Sequence, residues 1–259
     1  MATDDHIALA TRFRALHVPG RPLVLFNVWD AGSAREVATR GAAAIATGSW
    51  SVAQAHGAED GEELALDLVL ANLARIVAAT GLPTTLDLEA GYGGSSTEVG
   101  LTCARLIGCG AIGCNIEDGV PGQTMLRPAE EQADRLAAAR SAFDGSGVPA
   151  FLNARTDGFF TAASDADADA DAVLHDTLRR ARAYAEAGAD GLFVPGVTDE
   201  RMIARLVEDS PLPVNVMVGA GTPPRARLAE LGVARISHGP GPYVLTMRAL
   251  GDAATRAMD

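Results

Sequence analysis

Lysine is absent: all 21 basic positions of this 259-residue sequence are arginine. A guanidinium stays protonated and cannot form a Schiff base, so pyridoxal-phosphate chemistry and lysine-dependent aldol chemistry are excluded. A P-loop is excluded with them, since it needs its lysine. Ala, Gly and Arg are abundant, which points to base composition as the origin of the gap, but the chemical exclusion holds whatever its origin. Cysteine is scarce and odd in number, Cys103, Cys109 and Cys114, with no His or Cys spacing nearby that matches a zinc site; free thiols are expected. Basic excess is lacking too. Thirty-three acids leave a formal net charge of −12, which argues against nucleic acid or an anionic membrane as partner. No apolar run reaches membrane-spanning length, and the N-terminus, Met1 to His6, has acids where a signal peptide carries basic residues. A cytoplasmic protein acting on small molecules is expected.

The sequence instead repeats one unit, a short apolar strand, a Gly-containing or polar loop and a helix. The pattern predicts strands over residues 22–28, 43–47, 84–88, 113–117, 150–156, 191–195, 213–218 and 234–238. After an N-terminal helix over 5–16, helices are predicted over 33–40, 61–80, 96–108, 128–143, 171–187, 198–208, 223–231 and from 241 to the end. This spacing is the arithmetic of a (β/α)8 TIM barrel spanning residues 1–259 as one domain. A doubly wound sheet would carry a Gly-rich loop after its first strand, whereas that strand ends Asn27-Val28-Trp29-Asp30-Ala31-Gly32-Ser33. Gly81, Gly147 and Gly188 stop helices ahead of the next strand.

Acids gather at the C-terminal strand ends, the catalytic face of such a barrel. Asp87 and Glu89 fall two apart, so strand alternation sends both to one face, and Glu117 stands beside them if the next strand pairs in parallel. Such a cluster is costly without a cation, and an all-oxygen set suits Mg²⁺ that keeps several waters. The Asp-rich run from Ala162 to Asp171 lacks the Gly and the terminal Glu of an EF-hand and reads as a solvated loop ending in a helix N-cap. His56 and His238 lie near strand ends.

Together, the stretch Asn27 to Ala34, Asp87-Leu88-Glu89-Ala90-Gly91-Tyr92-Gly93, Asn115-Ile116-Glu117-Asp118-Gly119, Asn153-Ala154-Arg155-Thr156-Asp157 and Ala187 to Gly191 resemble the isocitrate lyase and phosphoenolpyruvate mutase superfamily. The resemblance implies a (β/α)8 barrel with its last helix exchanged between subunits of a homodimer or homotetramer, Mg²⁺ or Mn²⁺ as cofactor, and a small carboxylic acid substrate resembling pyruvate or its enolate. It implies Asp87 as direct metal ligand, with Asp60, Glu89 and Glu117 holding metal-bound waters. Arg155 is implied to grip the substrate carboxylate and enolate oxygens. Gly48, Ser49 and Trp50 are implied as carboxylate donors, with Gly and Ser in reversed order from the usual Ser-Gly. Asn215 and Ser237 are implied to line the pocket.

The resemblance has one clear departure. The loop after the fourth strand, Gly119 to Pro128, has neither the lysine and cysteine of the isocitrate-cleaving lyases nor the lysine of the mutases and hydrolases. Carbon–carbon cleavage or decarboxylation of a 2-oxo or 2-hydroxy acid needs least from that loop and is the expected reaction. Phosphoryl transfer is the enzymatic alternative, and a non-catalytic barrel binding a keto acid is the alternative of another class. A phosphate site at Gly219 to Thr222 and Gly239 to Gly241 is a further alternative.

Overall fold

The computed structural model describes residues 2–163 and 169–259. All eight expected strands form, β4 over its whole expected span and the other seven a little shorter than theirs: β1 Leu23–Leu25, β2 Ile45–Ala46, β3 Thr84–Asp87, β4 Gly113–Glu117, β5 Phe151–Arg155, β6 Gly191–Val194, β7 Val214–Met217 and β8 Arg235–Ser237. They pair in parallel in the order β1-β8-β7-β6-β5-β4-β3-β2. A parallel bridge between Val28 and Thr47 closes the ring between the two end strands. Asn27 fastens that seam. Its Nδ2 donates to Thr47 O at 2.7 Å, while its Oδ1 accepts the His238 and Gly239 amides at 2.9 Å. The fold is the expected (β/α)8 barrel.

The helices around it are α1 Asp4–Ala15, α2 Ala31–Thr39, α3 Ser49–Ala55, α4 Leu66–Thr80, α5 Ser96–Gly108, α6 Ala129–Ser146, α7 Gly158–Ala162, α8 Ala170–Glu186, α9 Glu200–Asp209, α10 Arg225–Glu230 and α11 Gly241–Met258. Capping boxes start α2, from Asp30 and Ser33, and α5, from Ser95 and Glu98. Left-handed Gly81 and Gly147 end α4 and α6. The helix expected from residue 61 begins at Leu66, because Gly61 and Glu62 have φ of 99° and 67°, outside helical geometry. Helices α3 and α7 were not expected; at seven and five residues they are too short for an apolar period to show.

Apolar side chains fill the layer between strands and helices, Leu86, Cys114, Ile116, Leu152, Leu192 and Val216 among them, all buried. The barrel interior is more polar, holding buried Asn115, Asn153, Asn215, Arg235 and Ser237. Cys103 and Cys114 are buried and all three cysteines are free, as expected. Asp169 caps α8 by accepting the Asp171 and Ala172 amides, as expected for the end of the acidic run, whose residues 164–168 lie outside the described residues. Among the described residues no helix is long and apolar enough to cross a membrane. The final helix α11 buries only Pro242, and Leu245, Leu250 and Met258 are 60% or more exposed. Beside β1 a cavity of about 610 Å³ lies open, lined by Leu16, Val18, Leu23, Val24 and Val37.

Candidate active site

Where the C-terminal ends of the strands meet, the barrel holds a cavity of about 130 Å³. Seven residues singled out in the sequence line it: Gly48, Ser49, Trp50, Asp60, Asp87, Arg155 and Ser237. Asn215 lies just outside the lining, 1% exposed, donating from Nδ2 to Ser237 Oγ at 3.2 Å. Glu89 and Glu117 are also outside the lining.

Asp87 ends β3 and is fixed from its backbone, whose N–H donates to Thr47 Oγ1 at 3.0 Å. One carboxylate oxygen, Oδ2, accepts the Ser49 amide at 3.3 Å. The other, Oδ1, is buried with no hydrogen-bond partner among the described residues. Glu89 comes to its side by a route the alternation argument did not contain: β3 stops at Asp87 and Glu89 takes a left-handed φ of 52°. Its Oε2 accepts the Gly61 amide at 2.7 Å and the Glu62 amide, and its Oε1 accepts the Tyr92 hydroxyl at 2.7 Å. Asp87 and Glu89 still face a common void of about 10 Å³, next to Ser49 and Thr47.

Parallel pairing of β4 with β3 and β5 puts Glu117 opposite Arg155, and the two are 2.8 Å apart. Arg155 Nε also donates to Asp157 Oδ1 at 2.7 Å, and its Nη2 to Asp157 Oδ2 at 3.0 Å. Asp157 is held in turn by its amide, which donates to buried Asp118 at 3.0 Å. Asp118 also accepts from Arg180 at 3.2 Å and from the Tyr184 hydroxyl at 2.8 Å. Burial opposes the Arg155 charge, but Glu117, Asp157 and Asp87 hold its guanidinium well above the usual range. It is a permanent cation on the cavity wall.

The acids feel each other. Burial, then Glu89 and Asp87, pushes the Asp60 carboxyl up to about 6, against the Ser49 hydroxyl and Arg155. Burial raises Glu89 too, although Tyr92 and the amides of Glu62 and Gly61 pull it back. Burial likewise raises Glu117, against Arg155 and with Asp157, Asp87 and Asp60 adding. Raised carboxyls and an unpartnered Asp87 oxygen are what a carboxylate set built around a missing positive charge would show. Among the described residues no three acid, His or Cys side chains converge closely enough to hold a metal by direct bonds alone. A cation bound directly by Asp87 and through water by the rest does not require such convergence, which is the habit of Mg²⁺. The residues fit that ion.

Five lining residues escaped the sequence reading as site residues: Asn27, Asn115, Phe160, Phe193 and Met217. An asparagine in the middle of a buried strand, as at 115, 153 and 215, was the available signal. Phe160 reaches the cavity from α7, which sits close because Gly196 lets its backbone in; a Cβ there would lie 2.7 Å from the Phe160 backbone. The two histidines lie outside the lining: His56 Nδ1 is 2.8 Å from Val52 O on its own helix, and His238 stands against Phe26 with ring centroids 5.0 Å apart. Arg127 of the loop after β4 is paired with Glu131 at 3.0 Å.

Comparison with known proteins converges on one family. A family model described as phosphoenolpyruvate phosphomutase matches residues 13–258. A solved structure from Burkholderia cenocepacia J2315, provisionally described as a phosphonomutase, is 54% identical, with a TM-score of 0.93 over 97% of this chain and 99% of that one. An uncharacterized protein of Mycobacterium tuberculosis is 35% identical over 95% of this chain and 89% of its own length. The oxaloacetate decarboxylase of Pseudomonas aeruginosa is 32% identical over 97% of this chain and 86% of its own.

Proposed function

The chain belongs to the phosphoenolpyruvate phosphomutase family, and on that premise we propose that it is a divalent-metal-dependent lyase that cleaves or decarboxylates a small 2-oxo or 2-hydroxy acid through a pyruvate-like enolate. The carrying observation is the pairing of one permanent cation, Arg155, with the unpartnered, buried Oδ1 of Asp87 on the wall of one small cavity. Asp87 would hold Mg²⁺ or Mn²⁺ directly, with Asp60, Glu89 and Glu117 holding its waters. The ion, when bound, supplies Lewis-acid stabilisation of an oxygen on which negative charge develops. Arg155 meets the same charge from the protein side. Its fork is kept in one orientation by Glu117 and Asp157, so it needs no reorganisation as the enolate forms. The Gly48-Ser49-Trp50 turn, whose Ser49 amide is already engaged by Asp87 Oδ2, would face the carboxylate end, and Ser237, backed by Asn215, closes the floor. Phe160, Phe193 and Met217 exclude water from the far side.

The lyase reading rests on what the wall lacks as much as on what it holds. Among the described residues the cavity has Arg155 as its single cationic lining residue, and the 119–128 loop contains no lysine or cysteine to reach it. Breaking a carbon–carbon bond to an enolate needs no acid from that loop if water or a substrate group returns the proton to the enolate carbon. The decarboxylase among the relatives supports this reading, and the phosphonomutase description of the Burkholderia protein supports phosphoryl transfer as the second. The test is pyruvate release from oxaloacetate, 2-alkylmalates, methylisocitrate and phosphonopyruvate with Mg²⁺, with EDTA and Asp87→Ala as controls. Pyruvate that needs both the metal and Asp87 is expected from at least one of the first two. Turnover of phosphonopyruvate alone would transfer the proposal to the second reading, and binding without turnover of any acid would leave a non-catalytic barrel.

We propose also that the molecule works as two or four copies. The apolar cavity beside β1 and the uncovered α11 are complementary in character, and an exchanged C-terminal helix would cover both.

A further inference from the structure

Inside the barrel, under the candidate active site, Arg235 on β8 is 1% exposed and has no carboxylate within ion-pair distance among the described residues. Its Nε and Nη1 are buried without hydrogen bonds, and its one bond runs from Nη2 to Asn115 Oδ1 at 3.2 Å. A guanidinium only donates, so the Asn115 atom that meets it must be the oxygen. The same Oδ1 takes a second donor, Asn153 Nδ2, at 2.9 Å. Two donors on one oxygen settle which way the amide faces. Asn115 lines the cavity, and its Nδ2 is bonded to no group of the described chain. The –NH2 is therefore the end left free to face the cavity.

We propose that Asn115 is a substrate-binding donor on the cavity floor and that Arg235 is the positioning residue that aims it. This rests on the cavity being the acid-binding site proposed above. The ligand atom it selects is a carbonyl, carboxylate or enolate oxygen lying on the Asn115 side of the cavity, beside Asp87, whose neighbour across the β3–β4 pair is Asn115 itself. Together with Arg155, this donor gives the site two separate grips on an acid: one charged and one neutral. The neutral one discriminates, because an amide hydrogen left facing a methylene or hydroxyl hydrogen loses its partner. With leucine at 235, Asn153 Nδ2 would be left as the sole donor to the Asn115 oxygen, and the amide would be held in its orientation less firmly. Arg235 also brings positive charge beneath Asp87, a carboxylate that supports it electrostatically.

The test is oxalate binding, since oxalate is a planar dianion shaped like the enolate of pyruvate, measured by calorimetry in Mg²⁺ alongside turnover of the best acid of the panel. Asn115→Asp keeps the shape, pairs with Arg235 and removes the donor; its oxalate Kd is expected to rise about 10- to 100-fold. Arg235→Leu is expected to weaken oxalate by about 10-fold with the thermal midpoint unchanged or higher, since a buried charge without a partner is removed. Arg235→Lys, still a donor to Asn115, is expected to recover most of that affinity. Unchanged oxalate affinity in Asn115→Asp, or no recovery by Arg235→Lys in a folded protein, would overturn this inference while leaving the proposed function standing. A wild type that binds neither oxalate nor any acid of the panel would remove the reading of the cavity and this inference with it.

Discussion

At the scale of single residues, Arg155 and Asp118 show how one carboxylate placed out of reach of the cavity sets the behaviour of one cation inside it. Arg155 spends three of its donors on Glu117 and Asp157, and Asp157 owes its place to the Asp118 carboxylate. Arg155→Lys keeps the charge but cannot make the fork, so kcat/KM is expected to fall about 10²- to 10³-fold with little change in thermal midpoint. Steady-state kinetics on the preferred acid checks it; a loss under threefold would remove Arg155 from the oxyanion-stabilising role. Asp118→Asn acts differently. Asp118 is fully buried, and its loss strands part of the Arg180 charge as well as the Tyr184 hydroxyl, at a cost of about 3 kcal/mol in a denaturant titration. Of these groups the sequence marked Arg155, Asp87 and Glu117 because each ends an apolar strand. Asn115 and Arg235 stayed hidden because a polar residue inside a strand has the same local pattern whether it faces a barrel interior or a helix layer, and only closure of the ring decides which.

At the scale of elements, legibility followed capping and length. The span of α5 matches its expectation residue for residue, since Ser95 and Glu98 form a capping box at its start. The short α3 and α7 escaped because their residues are placed by contacts to the barrel mouth, not by their own periodicity. The packing of α1 under the barrel carries a pH effect the sequence did not show. Just beyond α1, His17 stacks on Phe151 at 3.9 Å, its Nδ1 meets Phe13 O at 3.0 Å, and its Nε2 is buried without a partner. Burial, with Arg235 and Arg14 adding, lowers its pKa from 6.5 to about 3. The unfolded chain therefore takes up a proton near pH 6.5 that the folded one refuses until about 3. The stability from a neutral His17 is complete above pH 6.5 and drains away as pH falls toward 3, amounting to a few kcal/mol. His17→Phe, which keeps the stack, is expected to flatten the decline in thermal midpoint between pH 6.5 and 4. An unchanged slope would place the acid sensitivity elsewhere.

At the scale of the whole molecule, the final helix is what the proposed assembly turns on. Each barrel strand needs its outer face covered, and the natural cover for β8 and β1 is the helix that follows β8. That helix, α11, instead leaves Val244, Leu245, Leu250 and Met258 exposed, while the cavity beside β1 stays open at about 610 Å³. One monomer thus carries two unmatched apolar surfaces, and the proposed mutual exchange of α11 between copies would satisfy both in a closed, symmetric way, without the open-ended growth that a one-sided contact would allow. The net charge of −12 does not prevent this, because α11 carries only Arg248, Asp252 and Arg256 among its charged residues. Light scattering on the full chain is expected to give a mass of two or four times 26.6 kDa. In Leu245→Glu/Leu250→Glu the mass is expected to fall toward 26.6 kDa, with the thermal midpoint dropping as the cavity beside β1 loses its cover. A wild-type mass of 26.6 kDa at tens of micromolar would mean that α11 is a free arm and that the barrel tolerates an uncovered wall. A double variant that keeps its mass would place the interface on another face.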